Sequence, residues 1–278
     1  MHFVPVAVLT FVLTGQAQIP AELVISFTVT DKKGKAIEDV KPEEVSIEEN
    51  GAKRPPVKLE LDRRPLTVAL VVDSSMPPGT ALQADIVPAV VSFLQKLPPE
   101  SRFSVWTTSD RPKELVREGT DAKAAEEALK SIAPFGNNAA IDTMVAASQT
   151  LGAIEGRRTA VVALTSSSMG DITVDVGAQL GKASPRPIYA VVEVILGGQD
   201  ARLEDAVKAQ TARSGGFHER VFSTMSIATQ LGRVIDLLAA QYRAAYAPTV
   251  DPRSAKLDVK ISRKDARLKM SQRLSTAW

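Results

Sequence analysis

Thr67-Val68-Ala69-Leu70-Val71-Val72-Asp73-Ser74-Ser75-Met76-Pro77 is the stretch that decides the fold. It opens with an unbroken apolar and β-branched run, the pattern of a strand buried on both faces. An aspartate and two serines follow at once, so the strand ends in a polar loop. A strand covered on both faces needs helices above and below it, and the downstream sequence supplies them. Short β-branched runs alternate with longer amphipathic segments as far as residue 240. Strands are expected at 67–73, 102–107, 114–117, 159–165, 187–194 and 217–222, and helices at 81–97, 121–132, 139–151, 174–181, 201–214 and 226–240. Val161 and Val162 repeat the continuous apolar texture, which makes their strand central as well. Pro88 should kink the first helix or confine it to its later residues, because proline removes a backbone donor and clashes with the preceding turn. Residues 66–240 therefore read as a doubly wound α/β unit with a mostly parallel sheet.

The flanking segments have a different period. Ile25, Phe27 and Val29 alternate with polar residues, as do Val45 and Ile47, then Val57, Leu59 and Leu61. Asp31-Lys32-Lys33-Gly34-Lys35 is a turn, and Pro42-Glu43-Glu44 suits one short helical turn. At the other end Leu257, Val259 and Ile261 alternate with charged residues, Leu268 and Met270 repeat the pattern, and 242–247 adds a further strand. A half-buried sheet needs a partner. Residues 22–62 and 241–278 are therefore expected to form one discontinuous β-rich domain, linked to the α/β unit through Asp62-Arg63-Arg64-Pro65 and the stretch around Gln241.

The chain has 278 residues, 44% of them hydrophobic and 24% charged, enough for one large core and a smaller one. Thirty-four Lys and Arg against 32 Asp and Glu leave a net charge of +2, which offers no long-range pull on phosphate backbones or anionic lipid. With no cysteine there is no disulfide, thiolate metal site, cysteine nucleophile or lipid-modified N-terminal Cys. The apolar run 3–13 followed by Gly15-Gln16-Ala17 reads as a signal peptide, residues 1–17, cut near Ala17, with a first core strand as the bland alternative. Export to the periplasm or the medium follows from the first reading. No later run is long and apolar enough to span a bilayer as a helix.

In a doubly wound sheet, ligands meet the carboxyl ends of the strands. Three polar loops are expected there: Asp73-Ser74-Ser75-Met76-Pro77, Gly136-Asn137-Asn138-Ala139-Ala140-Ile141-Asp142 and Thr165-Ser166-Ser167-Ser168. On these loops the chain resembles the von Willebrand factor type A domain, and more closely the exported bacterial proteins related to it. Val29-Thr30-Asp31-Lys32-Lys33-Gly34-Lys35, Lys41-Pro42-Glu43-Glu44, Gly156-Arg157-Arg158, Pro187-Ile188-Tyr189-Ala190 and Gln241-Tyr242-Arg243 look similar too, so the resemblance covers nearly all of the mature chain. In that family an Asp-x-Ser-x-Ser loop, a threonine and a Thr-Asp-Gly loop hold a divalent cation in a metal-ion-dependent adhesion site. Here Asp73 and Ser75 match the first loop, whereas Pro77 replaces its second serine. Asn138 stands where the threonine is expected, and Ser166 and Ser167 replace the Asp-Gly pair.

The resemblance thus implies a degenerate metal site. Asp73 would be the only carboxylate touching the ion, and a hard cation such as Mg²⁺ wants more. Asp171 is a conceivable substitute ligand. Asp73, Ser75, Asn138 and Ser166 are instead expected to hydrogen-bond the loop backbone and cap helices, and to form a surface for a protein partner without any cofactor. The runner-up is an adhesion module holding Mg²⁺ or Mn²⁺ on Asp73, Ser75 and Asn138. A third reading is a hydrolase with an unrecognised serine or aspartate.

Catalytic patterns are otherwise poor. Once His2 leaves with the leader, His218 is the only histidine, and it falls in or beside a strand. Residues 177–184 lack the glycine spacing of a phosphate loop, and Gly197-Gly198 and Gly215-Gly216 read as turns. Glu43-Glu44 and Glu126-Glu127 read as solvated faces. Arg263, Lys264, Arg267, Lys269 and Arg273 carry no interleaved aromatics to stack on bases, which argues against nucleic acid. Trp106 is expected in the core.

Overall fold

A computed structural model describes residues 22–75, 81–166, 175–195, 201–252 and 254–275. The leader 1–17, Met76, Pro77, Ser167, Asp171, Gly197-Gly198 and Trp278 lie outside the described residues.

The chain begins with β1 (Leu23–Thr30), β2 (Val45–Glu49), β3 (Ala52–Arg54) and β4 (Lys58–Leu61). Gly34, at φ 83°, closes the turn after β1, where the Asp31 carboxylate accepts from the Lys33 and Lys35 N–H groups. Asn50 and Gly51, both at positive φ, make the tight turn between β2 and β3. Next comes β5 (Leu66–Val72), buried at every residue. It pairs in parallel with β6 (Arg102–Thr107) on one side and β8 (Arg158–Ser166) on the other. Beyond β8 lie β9 (Ile188–Val194) and β10 (Phe217–Val221), also parallel. Edge strand β7 (Lys113–Gly119) runs antiparallel to β6, giving the order β10-β9-β8-β5-β6-β7.

The two faces of β5 feed two cores. Leu66, Val68, Leu70 and Val72 pack under α1 (Val87–Gln95), α2 (Ala122–Lys130) and α6 (Ile227–Ala239). Ala69 and Val71 face α3 (Ala140–Gly152), α4 (Val176–Gly181) and α5 (Ala201–Arg213), a core that also takes in Trp106. Each fully buried valine or leucine contributes about 1.5–3 kcal/mol, which is why the central run is uniformly apolar. Asp121 and Asp175 cap α2 and α4 through the Lys123 and Ala178 N–H groups. Pro88 stands at the start of α1, and Leu82–Ile86 before it winds as a wider π-turn. That widening relieves the clash between the proline ring and the preceding turn.

After α6 the chain returns to the β layer as β11 (Gln241–Tyr246), β12 (Leu257–Ile261) and β13 (Arg267–Ser275). N- and C-terminal strands share two antiparallel sheets, β13-β1-β11-β4 and β12-β2-β3. Between them lies a core of Ile25, Phe27, Val29, Ile47, Tyr242, Tyr246 and Val259, with Leu257 and Ile261 at its margin. Phe27 and Tyr242 stack with ring centroids 5.8 Å apart. The Tyr242 hydroxyl donates to the Ile37 carbonyl and accepts from the Val40 N–H. No loose linker surrounds Gln241. It is the first residue of β11 and is buried, because the Ala240 carbonyl accepts from the Val29 N–H and the Gln241 carbonyl from the Asp62 N–H.

The charged pairs expected to be solvated divide in two. Glu126 and Glu127 make only helix-surface pairs with Lys130 and Lys123. Glu44 instead accepts from Arg263 and from the Lys41 N–H, which ties the short turn Pro42–Glu44 to the C-terminal segment.

Candidate functional site

Asp73 and Ser75 share one loop, Asn138 and Ser166 come from two others far along the chain, and the fold brings all four together, because β5 and β8 lie side by side at the carboxyl edge of the sheet. Asp73 follows the last residue of β5, and its N–H donates to the Leu164 carbonyl of β8 at 2.8 Å. Its side chain is buried, and both carboxylate oxygens are taken. Oδ1 accepts from the Ser75 N–H at 2.9 Å, the Ser75 hydroxyl at 2.5 Å and the Thr108 hydroxyl at 3.3 Å. Oδ2 accepts from Asn138 Nδ2 at 2.9 Å, the Ser166 N–H at 2.9 Å and the Ser166 hydroxyl at 2.6 Å.

Asn138 reaches this point because its loop is pinned to the end of β6. The Asp110 N–H donates to the Asn137 carbonyl, the Asn137 N–H to Asp110 Oδ1, and the Ala139 N–H to the Thr108 carbonyl. Gly136 makes the bend at φ 70°, and a Cβ there would fall 2.4 Å from the Asp110 carboxylate. Only glycine meets both demands. Asn138 Nδ2 also donates to Thr165 Oγ1 at 2.9 Å, with Ser166 Oγ farther off at 3.3 Å. Its Oδ1 is buried without a partner. Turning the amide over would set that oxygen against Asp73 Oδ2, two acceptors face to face, so the NH₂ group belongs where it is.

Four further residues complete the cluster, and the sequence reading passed over them as participants. Ser74 and Ser109 share a hydroxyl–hydroxyl bond of 2.6 Å, Ser109 Oγ donates to the Ser74 carbonyl, and Thr108 and Thr165 contribute the contacts above. The signal was present: Thr107-Thr108-Ser109 is a hydroxyl run at the end of β6, the strand beside β5.

A divalent cation suits this donor set badly. Among the described residues one carboxylate is present, it is already bonded at both oxygens, and Asn138 turns a nitrogen toward it where a ligand would need an oxygen. No group of three or more His, Cys, Asp or Glu side chains able to hold a metal occurs among the described residues. His218 is no better placed for catalysis. Its side chain is 2% exposed and Nε2 meets Glu193 Oε2 at 2.9 Å.

The edge around the cluster is not wholly polar. Among the described residues four large apolar side chains stand out into solvent, Val57, Phe135, Phe222 and Met225. Three of these lie at the carboxyl edge. The Phe135 N–H donates to the Ser74 carbonyl, Phe222 directly follows β10, and Met225 lies in the short turn Thr224–Ser226, which bonds through Thr224 to Asp85.

No protein-family model matches the chain, and no curated protein matches it in sequence. Solved structures do. A von Willebrand factor type A protein from Catenulispora acidiphila superposes with a TM-score of 0.54 at 8% identity, over 93% of this chain and 75% of that one. Proximal thread matrix protein 1 of the mussel byssus gives 0.51 at 15% identity, over 76% of this chain and 50% of that one. The von Willebrand factor domain of the type V pili tip protein Mfa5 from Porphyromonas gingivalis gives 0.50 at 9% identity, over 62% and 94%. The mussel protein is also known with a zinc-occupied MIDAS motif. The chain has the von Willebrand factor type A fold, with antiparallel sheets added to its mostly parallel one.

Proposed function

We propose that this chain is an exported, non-catalytic interaction protein that docks a protein partner on the carboxyl edge of its parallel sheet without a metal ion. The observation that carries the reading is the placement of Phe135, Phe222 and Met225, each more than half exposed and each on the edge where this fold presents its loops. Aromatic side chains carry few rotatable bonds and so lose little entropy on binding, and desolvating them is the usual source of interface energy. The polar cluster between them does structural work. An oxygen that already accepts three hydrogen bonds has no lone pair aimed at a ligand, whether a cation or a substrate proton. The apolar run 3–13 supports export, and one structural neighbour is the von Willebrand factor domain of a type V pili tip protein.

The test is capture from an envelope fraction in EDTA with the wild-type chain and a Phe135→Ser/Phe222→Ser variant. Both should melt at the same temperature, because neither side chain is part of a core. The wild type should retain a partner that the variant loses. Capture that is equal in both, or that needs added Mg²⁺, defeats the proposal.

A further inference from the structure

A second site lies at the opposite, amino edge of the sheet, where β8 and β9 begin and the α/β unit meets β1, β11 and β13. A cleft there is lined by Arg64, Arg157, Arg158, Arg186 and Lys269, with Asp62 the one carboxylate among its lining residues. That carboxylate is spent. Asp62 binds Arg64 in a two-pronged pair, Nε to Oδ1 at 2.9 Å and Nη2 to Oδ2 at 2.6 Å. Arg158 is 7% exposed and bonds only carbonyls, Nε to Arg64 and Nη1 to Leu238. Lys269 stands at the open side, its ammonium donating to the Gly216 carbonyl at 3.2 Å. Gln241, 7% exposed, also lines the cleft, and its Nε2 has no hydrogen-bond partner. A buried guanidinium whose nearby carboxylate, Asp62, is already paired with Arg64 and a buried amide N–H with no acceptor are each costly, and both residues line one small space.

We propose that this cleft binds a single tetrahedral oxyanion, inorganic phosphate or the phosphoryl group of a larger ligand, through Arg158, Lys269 and Gln241. The size fits. The cleft measures about 50 Å³, and a water needs roughly 10–15 Å³ on the same measure, so about three to five non-hydrogen atoms find room, and the five of a phosphate fill it. The chemistry fits as well, since a guanidinium and an ammonium supply charge-assisted bonds and an amide N–H supplies a neutral one. Burial lowers the pKa of Arg158, with Asp62 opposing it and Arg64 and Arg63 adding to it; burial and Arg267 lower that of Lys269, with Glu219 opposing. A bound anion reverses both trends. The cleft is formed by both layers of the protein, so its occupant would bridge them.

Thermal unfolding of the full chain in sodium phosphate, against sodium chloride at equal ionic strength, reads this directly. A hundredfold excess of phosphate over its Kd should raise Tm by roughly 5–10 °C. Lys269→Met and Gln241→Leu, which leave the packing intact, should each weaken phosphate binding about tenfold or more in calorimetric titration. Lys264→Met, an exposed lysine outside the cleft, should keep the full response. A parallel titration with phenyl phosphate distinguishes the sources: a response to it points to a phosphoryl group on a larger ligand, and a response to phosphate alone points to the free ion. No rise above the chloride control, or an equal loss in Lys264→Met, overturns the proposal.

Discussion

Replacing Asp73 with alanine separates a self-contained hydrogen-bonded cluster from a metal site. The carboxylate accepts from two backbone N–H groups, of Ser75 and Ser166, both fixed in direction, and from the Asn138 amide, which keeps Thr165 Oγ1 as a second acceptor. The hydroxyls of Ser75, Thr108 and Ser166 can rotate to other acceptors. The fixed donors cannot. Two stranded backbone donors at about 1–1.5 kcal/mol each, the low end of the range, give a loss of about 2–3 kcal/mol. Urea unfolding in EDTA should show that loss as a lower midpoint with an unchanged slope. The same experiment in saturating Mn²⁺ should give the same wild-type stability and the same difference. A site that holds a cation behaves otherwise: the wild type gains stability with ligand concentration, and Asp73→Ala abolishes the gain. Wild-type stabilisation by Mg²⁺ or Mn²⁺, with stoichiometric heat lost in Asp73→Ala, would refute the metal-free reading.

Other outcomes follow from the packing. Deleting residues 256–278 removes β12 and β13, the partners of β2 and β1, so limited proteolysis should then cut within residues 23–61 while the α/β fragment resists; unchanged protection of 23–61 would show that the two ends are independent. Gly216→Ala places a Cβ 1.9 Å from the Tyr189 carbonyl oxygen, backbone against backbone, and should cost about 3 kcal/mol or more in urea unfolding. Hydrogen bonds from Arg263, followed by one from the Lys41 N–H, pull the Glu44 carboxyl from 4.5 down to about 2. A depressed acid stabilises the fold fully above its unfolded value and loses that contribution as pH falls through the folded one. Glu44→Gln should therefore flatten the stability curve between about pH 4.5 and 2 and leave its slope at neutral pH unchanged.

The parts of this fold legible in sequence are those set by periodicity. The run ending in Val72 had to be a central strand, and Ile25, Phe27 and Val29 had to cover something, because an alternating pattern buries one face. Which strands cover it is a long-range fact. Period two does not tell that β1 takes both β11 and β13 as neighbours while β12 crosses to β2. The same limit applies at the site. Asp73, Ser75, Asn138 and Ser166 stood out as short polar residues after strands. Their mutual bonding depends on β8 running two residues past the end of β5, so that Ser166 reaches Asp73, and on Gly136 bending the second loop inward. The exposure of Phe135 and Phe222 and the convergence of Arg158, Lys269 and Gln241 carry no local signature. Each is a product of which surfaces the layers leave uncovered.

The connection between the two layers has a thermodynamic consequence. β4 and β11 are antiparallel neighbours, and the Asp62 N–H bonds the Gln241 carbonyl at 2.8 Å, so residues 63–240 leave and re-enter the sheet one hydrogen bond apart. Topologically they are the loop of a hairpin. While the α/β unit is folded, Arg158 holds both ends of that loop through the Arg64 and Leu238 carbonyls, and the hairpin closes as though its turn were short. Unfolded, the same residues become a long flexible loop. That is more than five doublings of a tight turn at about 0.6 kcal/mol each, roughly 3 kcal/mol of added closure entropy. The β layer therefore senses whether the α/β unit is folded through chain connectivity alone, before any contact between the two layers is counted.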